Sequence, residues 1–338
     1  MFRDLLSKIY QRKDLTEEEM SAMLGDIFSG NTTDSQVGAF MGALATKGET
    51  YAELAGAARA MRKKAIRIET MAQDVIDTCG TGGDTSGTFN ISTVTAFVAA
   101  GCGVVVAKHG NRSISSQCGS ADVLEALGVN LDVDPEIVEE AIAGIGIGFL
   151  FAPKFHGAMK YAAKARKEVG LRSIFNMLGP LTNPAAANRQ LVGVFAPELT
   201  EMFARALQRL GAKRALVVHG HDGLDEISVC APTRVCELKD GQLRTYDITP
   251  ETYFGRTATA AEIAGGDPAH NAEITINILR GEKSAKRDVV VINAAAALMA
   301  AGRAENLEQG LAMAEEAIDS GAAMDKLNSL IQFSRENA

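Results

Sequence analysis

One stretch restricts the fold of this chain more than any other: Asp77-Thr78-Cys79-Gly80-Thr81-Gly82-Gly83-Asp84, entered directly from the apolar pair Val75-Ile76. An apolar run followed by three closely spaced glycines reads as a strand that ends in a tight loop. Without Cβ atoms at 80, 82 and 83 the backbone can take positive φ and bring its N–H groups close to an anion, which bulkier residues would block. Asn90-Ile91-Ser92-Thr93 then opens an apolar helix over residues 94–100, so an anion would also meet a helix N-terminus. The loop fits neither common nucleotide fingerprint. Counted from Gly80, a dinucleotide motif requires glycine at 85, where Thr85 stands, and the Gly-Lys-Ser/Thr ending of a Walker A loop is missing.

A second polar loop comes about one helix and one strand later. Lys108-His109-Gly110-Asn111-Arg112-Ser113 and the residues up to Ser120 follow the apolar stretch 104–107 and carry two cations among hydroxyl and amide side chains. Two such loops at the ends of consecutive parallel strands would face one crevice, where open α/β sheets bind ligands. Further β-rich runs at 148–151, 191–194 and 215–219 alternate with helical pattern or loop, which predicts a mostly parallel central sheet flanked by helices on both faces. Asp240-Gly241 between alternating segments predicts a hairpin. The first seventy residues read as helices only. Thr16 with Glu19 and Thr50 with Glu53 form capping boxes, and Asp34 can cap a small-residue helix over 38–45. This gives a smaller all-helical N-terminal subdomain over 1–72 and an α/β domain over 73–338.

The remaining chemistry is sparse. Residues 153–166 read as a helix entered through Pro153, which would put His156, Met159 and Arg166 near one face. Arg166 among Lys160, Lys164 and Lys167 reads either as an anion-binding guanidinium or as one cation on a solvated face. Asp225-Glu226, with Asp222 just upstream, offers the hard oxygen ligands that magnesium prefers, or simply an exposed acidic turn. His219-Gly220-His221 has no third ligand nearby in sequence and is assigned no role. A net charge of −8 supplies no basic field for nucleic acid, and no run of 18 apolar residues or signal-peptide core suggests a membrane or export. Five cysteines, odd in number and without a C-x-x-C, suit a reducing cytoplasm.

Asp77–Asp84, Asn90–Thr93 and Lys108–Arg112, with Gly179-Pro180-Leu181-Thr182-Asn183-Pro184 and Asp222-Gly223-Leu224-Asp225-Glu226, closely resemble the anthranilate phosphoribosyltransferase family over nearly the whole chain. The resemblance implies transfer of a phosphoribosyl group from phosphoribosyl pyrophosphate to the amine of anthranilate, in a cytoplasmic homodimer that works without nucleic acid or membrane. It implies that Gly80, Gly82, Gly83 and Asp84 hold phosphoribosyl pyrophosphate together with Thr88, Asn90, Ile91, Ser92 and Thr93. Lys108, Gly110, Asn111, Arg112, Ser113, Ser116 and Ser120 would complete that site. Anthranilate would meet Gly80, Asn111, His156 and Arg166, the last binding its carboxylate. Ser92, Asp225 and Glu226 would hold two magnesium ions. A helical segment near 165–187 would join the N-terminal helices in the helical subdomain.

An aromatic amine is already unprotonated at neutral pH, so the reaction needs no strong general base, and positioning by His109, Asn111 and Arg166 is the expected catalytic device. Two other readings are a pyrimidine nucleoside phosphorylase of similar plan and a non-enzymatic relative that binds nucleic acid.

Overall fold

The computed structural model describes residues 1–113 and 117–337. It begins with four helices, Phe2–Tyr10, Glu17–Phe28, Asp34–Lys47 and Tyr51–Lys64. Thr16, Thr33 and Thr50 cap the last three, each accepting the backbone N–H three residues on. The cap of the third helix is therefore Thr33 rather than Asp34, because the Thr33 hydroxyl takes the Gln36 N–H while the Asp34 carboxylate lies in the first turn, where the helix dipole favours it. The second and fourth helices pack very closely. A Cβ on Gly56 would stand 2.3 Å from the Glu17 carbonyl oxygen.

From there the chain builds one seven-stranded sheet. Its strands are β1 (Ile76–Asp77), β2 (Val106–Gly110), β3 (Ile147–Phe151), β4 (Arg189–Gly193), β5 (Arg214–Gly220), β6 (Thr233–Lys239) and β7 (Gln242–Ile248), in the order β3-β2-β1-β4-β5-β6-β7. The first five are parallel and β6 and β7 run antiparallel, so the expected α/β class is found. Asp240 and Gly241 both have positive φ, 52° and 73°, as the two-residue hairpin between β6 and β7 requires. Burial alternates with the pleat. In β5 Leu216 and Val218 join the core that includes Val289 and Ile292, while Ala215 and Val217 join the opposite one with Phe203 and Leu207.

Starting in the middle at β1, the chain moves outward to β2 and β3 and then returns to lay β4 on the other side of β1. The crossover connections leaving β1 and β4 diverge to opposite faces there, which opens a crevice at the carboxyl ends of these strands.

Two further expectations change. Residues 153–166 do not form one helix: Ala152–Phe155 stops, a 3-10 turn spans Gly157–Met159, and a second helix covers Lys160–Val169. His156 sits at the break with φ −113° and ψ 49°, so it does not share a helical face with Arg166. The reason is a tertiary partner, since its ring is drawn into the buried core against His109. The segment near 165–187 is also less helical than expected. Past Gly170 it makes only 3-10 turns at Ile174–Asn176 and Gly179–Leu181, yet Ile174, Phe175, Leu178 and Leu181 are buried with the N-terminal helices. No described helix is long and apolar enough to cross a membrane.

Candidate active site

The loop after β1 is fixed before it reaches its glycines. Asp77 is fully buried, and its carboxylate accepts from the backbone N–H of Cys79 at 3.0 Å, the N–H of His109 at 3.1 Å and the Asn183 side-chain amide at 2.7 Å. Burial pushes its pKa up to about 6 in spite of these donors and the Lys108 charge. One acid thus ties the ends of β1 and β2 to the segment after Leu181. Thr81 N–H donates to the Gly193 carbonyl at 2.9 Å, which straps the glycine loop across the end of β4. Gly82 and Gly83 follow with φ of 64° and 79°, and even Thr85 is left-handed at 62°.

Two acids, Asp225 and Glu226, lie near Asp84 at the end of this loop. Asp225 N–H lies 3.4 Å from the Asp84 carboxylate, and the Gly80 backbone passes so near that an added Cβ would be 3.4 Å from Asp225 Oδ2. Burial first, and then the Asp84 charge, raises the Asp225 pKa to about 7. Glu226 is pushed well above its ordinary value by burial and by Asp225, with Lys108 opposing. Lys108 is buried and donates to the Thr78 carbonyl at 3.2 Å and to the Ser92 hydroxyl at 3.3 Å, at the first turn of helix Ile91–Gly101. Asp225 and Glu226, held back from ionising by burial and by neighbouring carboxylates, lie near Asp84, and carboxylate oxygens are the donors that a hard divalent cation takes. Asp84, read from sequence as a phosphate-loop residue, also faces Asp225.

The second loop is pinned by other contacts. A Cβ on Gly110 would meet the side chains of Ser120 and Phe149, at 2.2 Å from Ser120 Oγ and 2.7 Å from the Phe149 ring, so a larger residue at the end of β2 would have to displace both. Ser120 accepts from Asn111 N–H at 3.2 Å, and the Asn90 amide donates to the Cys118 carbonyl at 3.1 Å. Arg112 is not turned toward the glycine loop: Asp122 at 3.1 Å and Glu125 at 2.7 Å hold its guanidinium on helix Ser120–Leu127. Ser113 N–H donates to Asp122. Thr88 bridges to Ala264, Ile91 is buried, and Thr93 Oγ1 has no partner among the described residues. Ser116 lies outside the described residues.

His109 and His156 meet Nε2 to Nε2 at 3.2 Å. His109 Nδ1 is 3.0 Å from the Gly179 carbonyl, which can only accept, so Nδ1 carries the proton and Nε2 accepts from His156. That leaves His156 Nδ1 as a buried acceptor without a partner among the described residues. Burial lowers both rings, to about 4 and about 3, so the pair is neutral. Asp77, Cys79 and His109 bring ligand-type atoms within 4.8 Å of one another, but Asp77 and His109 are engaged as described and burial raises the Cys79 thiol to about 12. Arg166 is half-buried with its guanidinium 5.6 Å from the Phe175 ring centre, and burial alone lowers its pKa, with no carboxylate paired to it among the described residues. His219 Nδ1 lies 2.7 Å from the Val194 carbonyl.

Sequence reasoning missed the carbonyls of Gly179-Pro180-Leu181. They accept in turn from His109, from the Gln190 side chain at 2.6 Å and from Arg62 at 2.7 Å, so β2, β4 and the fourth helix meet on one turn. It also missed Arg172, which donates to the Gly83 carbonyl. Nothing in the local pattern distinguishes Arg62 or Arg172 from surface cations.

A family model described as the a/b domain of a glycosyl transferase family matches residues 72–324, and one described as its helical bundle domain matches 3–65. The chain is 66% identical over 337 residues to an anthranilate phosphoribosyltransferase of Syntrophobacter fumaroxidans, covering 100% of both. It is 67% identical over 338 residues to that of Desulfosudis oleivorans, again covering 100% of both. It superposes with a TM-score of 0.93 on the anthranilate phosphoribosyltransferase of Thermus thermophilus, at 43% identity and covering 98% of this chain and 99% of that one. For the Saccharomyces cerevisiae enzyme in complex with PRPP and Mg the TM-score is 0.90 at 27% identity, covering 99% and 98%.

Proposed function

Because this chain belongs to the anthranilate phosphoribosyltransferase family, we propose a division of labour among its loops for the reaction of that family. The chain transfers the 5-phosphoribosyl group of 5-phosphoribosyl 1-pyrophosphate to the amine of anthranilate, releasing pyrophosphate, in tryptophan biosynthesis. Full-length identity to these transferases sets aside the nucleoside phosphorylase and nucleic-acid-binding readings. Magnesium serves the reaction, as the yeast relative's complex with PRPP and Mg indicates.

Breaking the bond at ribose C1 leaves positive charge on the sugar and negative charge on pyrophosphate. The N–H groups of residues 80–84, the first turn of helix Ile91–Gly101 and Lys108 hold the pyrophosphate and stabilise it as it departs. Asp84, Asp225, Glu226 and Ser92 hold magnesium, two ions in our reading. Bound there, the metal supplies charge stabilisation to the leaving group. Arg166, without a carboxylate of its own, binds that of anthranilate with two parallel hydrogen bonds. Neutral His156 offers its unpaired Nδ1 to the amine, and His109 and Asn111 help to orient it. No residue acts as a strong general base.

We further read helices 1–72 with residues 157–181 as one helical unit, residues 73–338 otherwise as the pyrophosphate-binding domain, and the assembly as a cytoplasmic homodimer. The observation that carries the site reading is the contact of Asp225 with Asp84 at the end of the glycine loop, with Glu226 adjacent. Its test is loss of anthranilate fluorescence on mixing protein, phosphoribosyl pyrophosphate and magnesium. The loss should stop when the metal is chelated and resume when it is restored; turnover that continues with all divalent ions removed would sink the metal assignment.

A further inference from the structure

Residues 82–84 are held by two separate parts of the chain. Asp225, from the segment after β5, approaches Gly82 and Asp84. Arg172 donates through Nη2 to the Gly83 carbonyl. Arg172 comes from the stretch that follows helix Lys160–Val169, the helix that carries Arg166, and only left-handed Gly170 and exposed Leu171 separate it from the helix end. Its guanidinium lies 4.4 Å from the Phe195 ring centre. Phe195 N–H in turn donates to Thr81 Oγ1 at 3.2 Å, and Thr81 N–H to the Gly193 carbonyl, so the stacking ring is itself tied to the glycine loop.

We propose that Arg172 is a positioning residue that latches the pyrophosphate-binding loop to the anthranilate-binding helix and so couples occupancy of the two substrate sites. The inference rests on the reading of Arg166 and of residues 80–84 given above. The peptide joining Gly83 to Asp84 is planar and trans, so its N–H points opposite to its C=O. By holding the carbonyl, Arg172 aims the Asp84 N–H away from itself and, as a charged donor, polarises that peptide into a better anion ligand. Gly83 suits this clasp twice over. Its φ is 79°, and a Cβ would stand 3.1 Å from Arg172 Nη2. Because the stretch bearing Arg172 continues from the Arg166 helix, settling that helix on anthranilate settles the latch, and each ligand tightens the other by one shared factor.

The experiment uses inorganic pyrophosphate with magnesium, and anthranilate, as a pair of probes that bind together without turnover because no ribosyl group is present. Calorimetry on the full-length protein gives the pyrophosphate affinity with and without saturating anthranilate. In the wild type anthranilate should tighten pyrophosphate by at least about 5-fold. Arg172→Ala and Phe195→Leu should bring this ratio near one while anthranilate alone still binds within about 2-fold of wild type, which a merely unfolded variant would not do. Arg172→Lys keeps the charge but not the planar stack, so it should also lose most of the ratio. A ratio of one in the wild type, an unchanged ratio in Arg172→Ala, or full retention in Arg172→Lys would each overturn the latch. Failure of the wild type to bind either probe would instead overturn the underlying site reading, and the latch with it.

Discussion

Gly193 and Asp225 are packed backbone to backbone: a Cβ built on Gly193 would fall 1.4 Å from the Asp225 carbonyl oxygen. No side-chain rotation relieves such a contact. The same Gly193 carbonyl accepts from Thr81, so one residue at the end of β4 positions both the glycine loop and Asp225, which we propose as a metal carboxylate.

Gly193→Ala should therefore damage activity out of proportion to stability. Overpacking typically costs about 1–3 kcal/mol, which a protein of this size tolerates, whereas a displaced Asp225 should lower kcat/KM by at least ~10²-fold. Thermal melting and steady-state kinetics on the same preparation decide it. A variant that melts early but retains wild-type kcat/KM would mean that the loop and Asp225 do not depend on Gly193.

Replacing Asp225→Asn with Glu226→Gln tests the metal carboxylates by two readouts. Both folded pKa values are raised, so above about pH 7 the ionised acids cost stability, and neutral amides should raise the melting temperature of the metal-free protein at pH 8. Magnesium should raise the wild-type melting temperature further but leave the variant's unmoved. Turnover should fall by more than ~10²-fold. Equal magnesium stabilisation of both proteins would place the ion elsewhere.

The elements that build this site differ in how far the sequence betrays them. The glycine loop, the β6–β7 hairpin and the capping boxes at Thr16 and Thr50 are local, written in residues whose φ preferences or hydroxyls act within a few positions. The Asp225-Glu226 pair could be suspected from its composition, but its grouping with Asp84 spans 141 positions and arises from strand order. The helix expected over 153–166 failed because a tertiary contact, His156 against His109, outweighed propensity at that residue. Thr33 displaced Asp34 as a cap because either residue satisfies the pattern and only the geometry of the entering chain chooses between them. The partners of Arg112 and Arg172 are hidden for a similar reason: the acids that hold Arg112, and the carbonyl that Arg172 finds, come from separate turns of the chain.

The histidine pair has a pH signature whose sign follows from burial. Folded values of about 4 and about 3 lie below the ordinary 6.5, so the unfolded chain binds more protons in the interval between. Their effect leaves stability intact above about pH 6.5 and erodes it as the pH falls toward 4. Asp77 works in the opposite sense. Raised to about 6, it binds more protons when folded, which favours the folded state as the pH drops from 6 toward 3.8. Net melting curves therefore mix the two, and the clean measurement is NMR of the imidazole Cε1–H signals, which should show neither His109 nor His156 titrating above pH 5. A midpoint near 6.5 for either would contradict the neutral pair and with it the assignment of His156 Nδ1 as an acceptor.

In the proposed site, Arg166 serves recognition of anthranilate and not the handling of phosphoribosyl pyrophosphate. It stands on helix Lys160–Val169 against Phe175, in the helical unit, while the residues assigned to pyrophosphate and metal come from loops after β1, β2 and β5. Its guanidinium is half-buried with no carboxylate paired to it among the described residues, so desolvation already disfavours its charge and an incoming carboxylate meets a donor with little to give up. Removing a charge-assisted hydrogen bond costs about 1.5–3 kcal/mol, so Arg166→Ala should lower kcat/KM for anthranilate by at least about tenfold. The binary affinity for phosphoribosyl pyrophosphate with magnesium should stay within about twofold. Arg166→Lys should recover only part of the loss, because an ammonium restores charge without the planar two-pronged geometry. Changing the substrate gives the complementary test: aniline, which lacks the carboxylate, should be used equally poorly by wild type and Arg166→Ala. If the variant instead discriminates between anthranilate and aniline as strongly as the wild type does while remaining folded by circular dichroism, the carboxylate is bound by another residue and Arg166 is a structural cation stacked on Phe175.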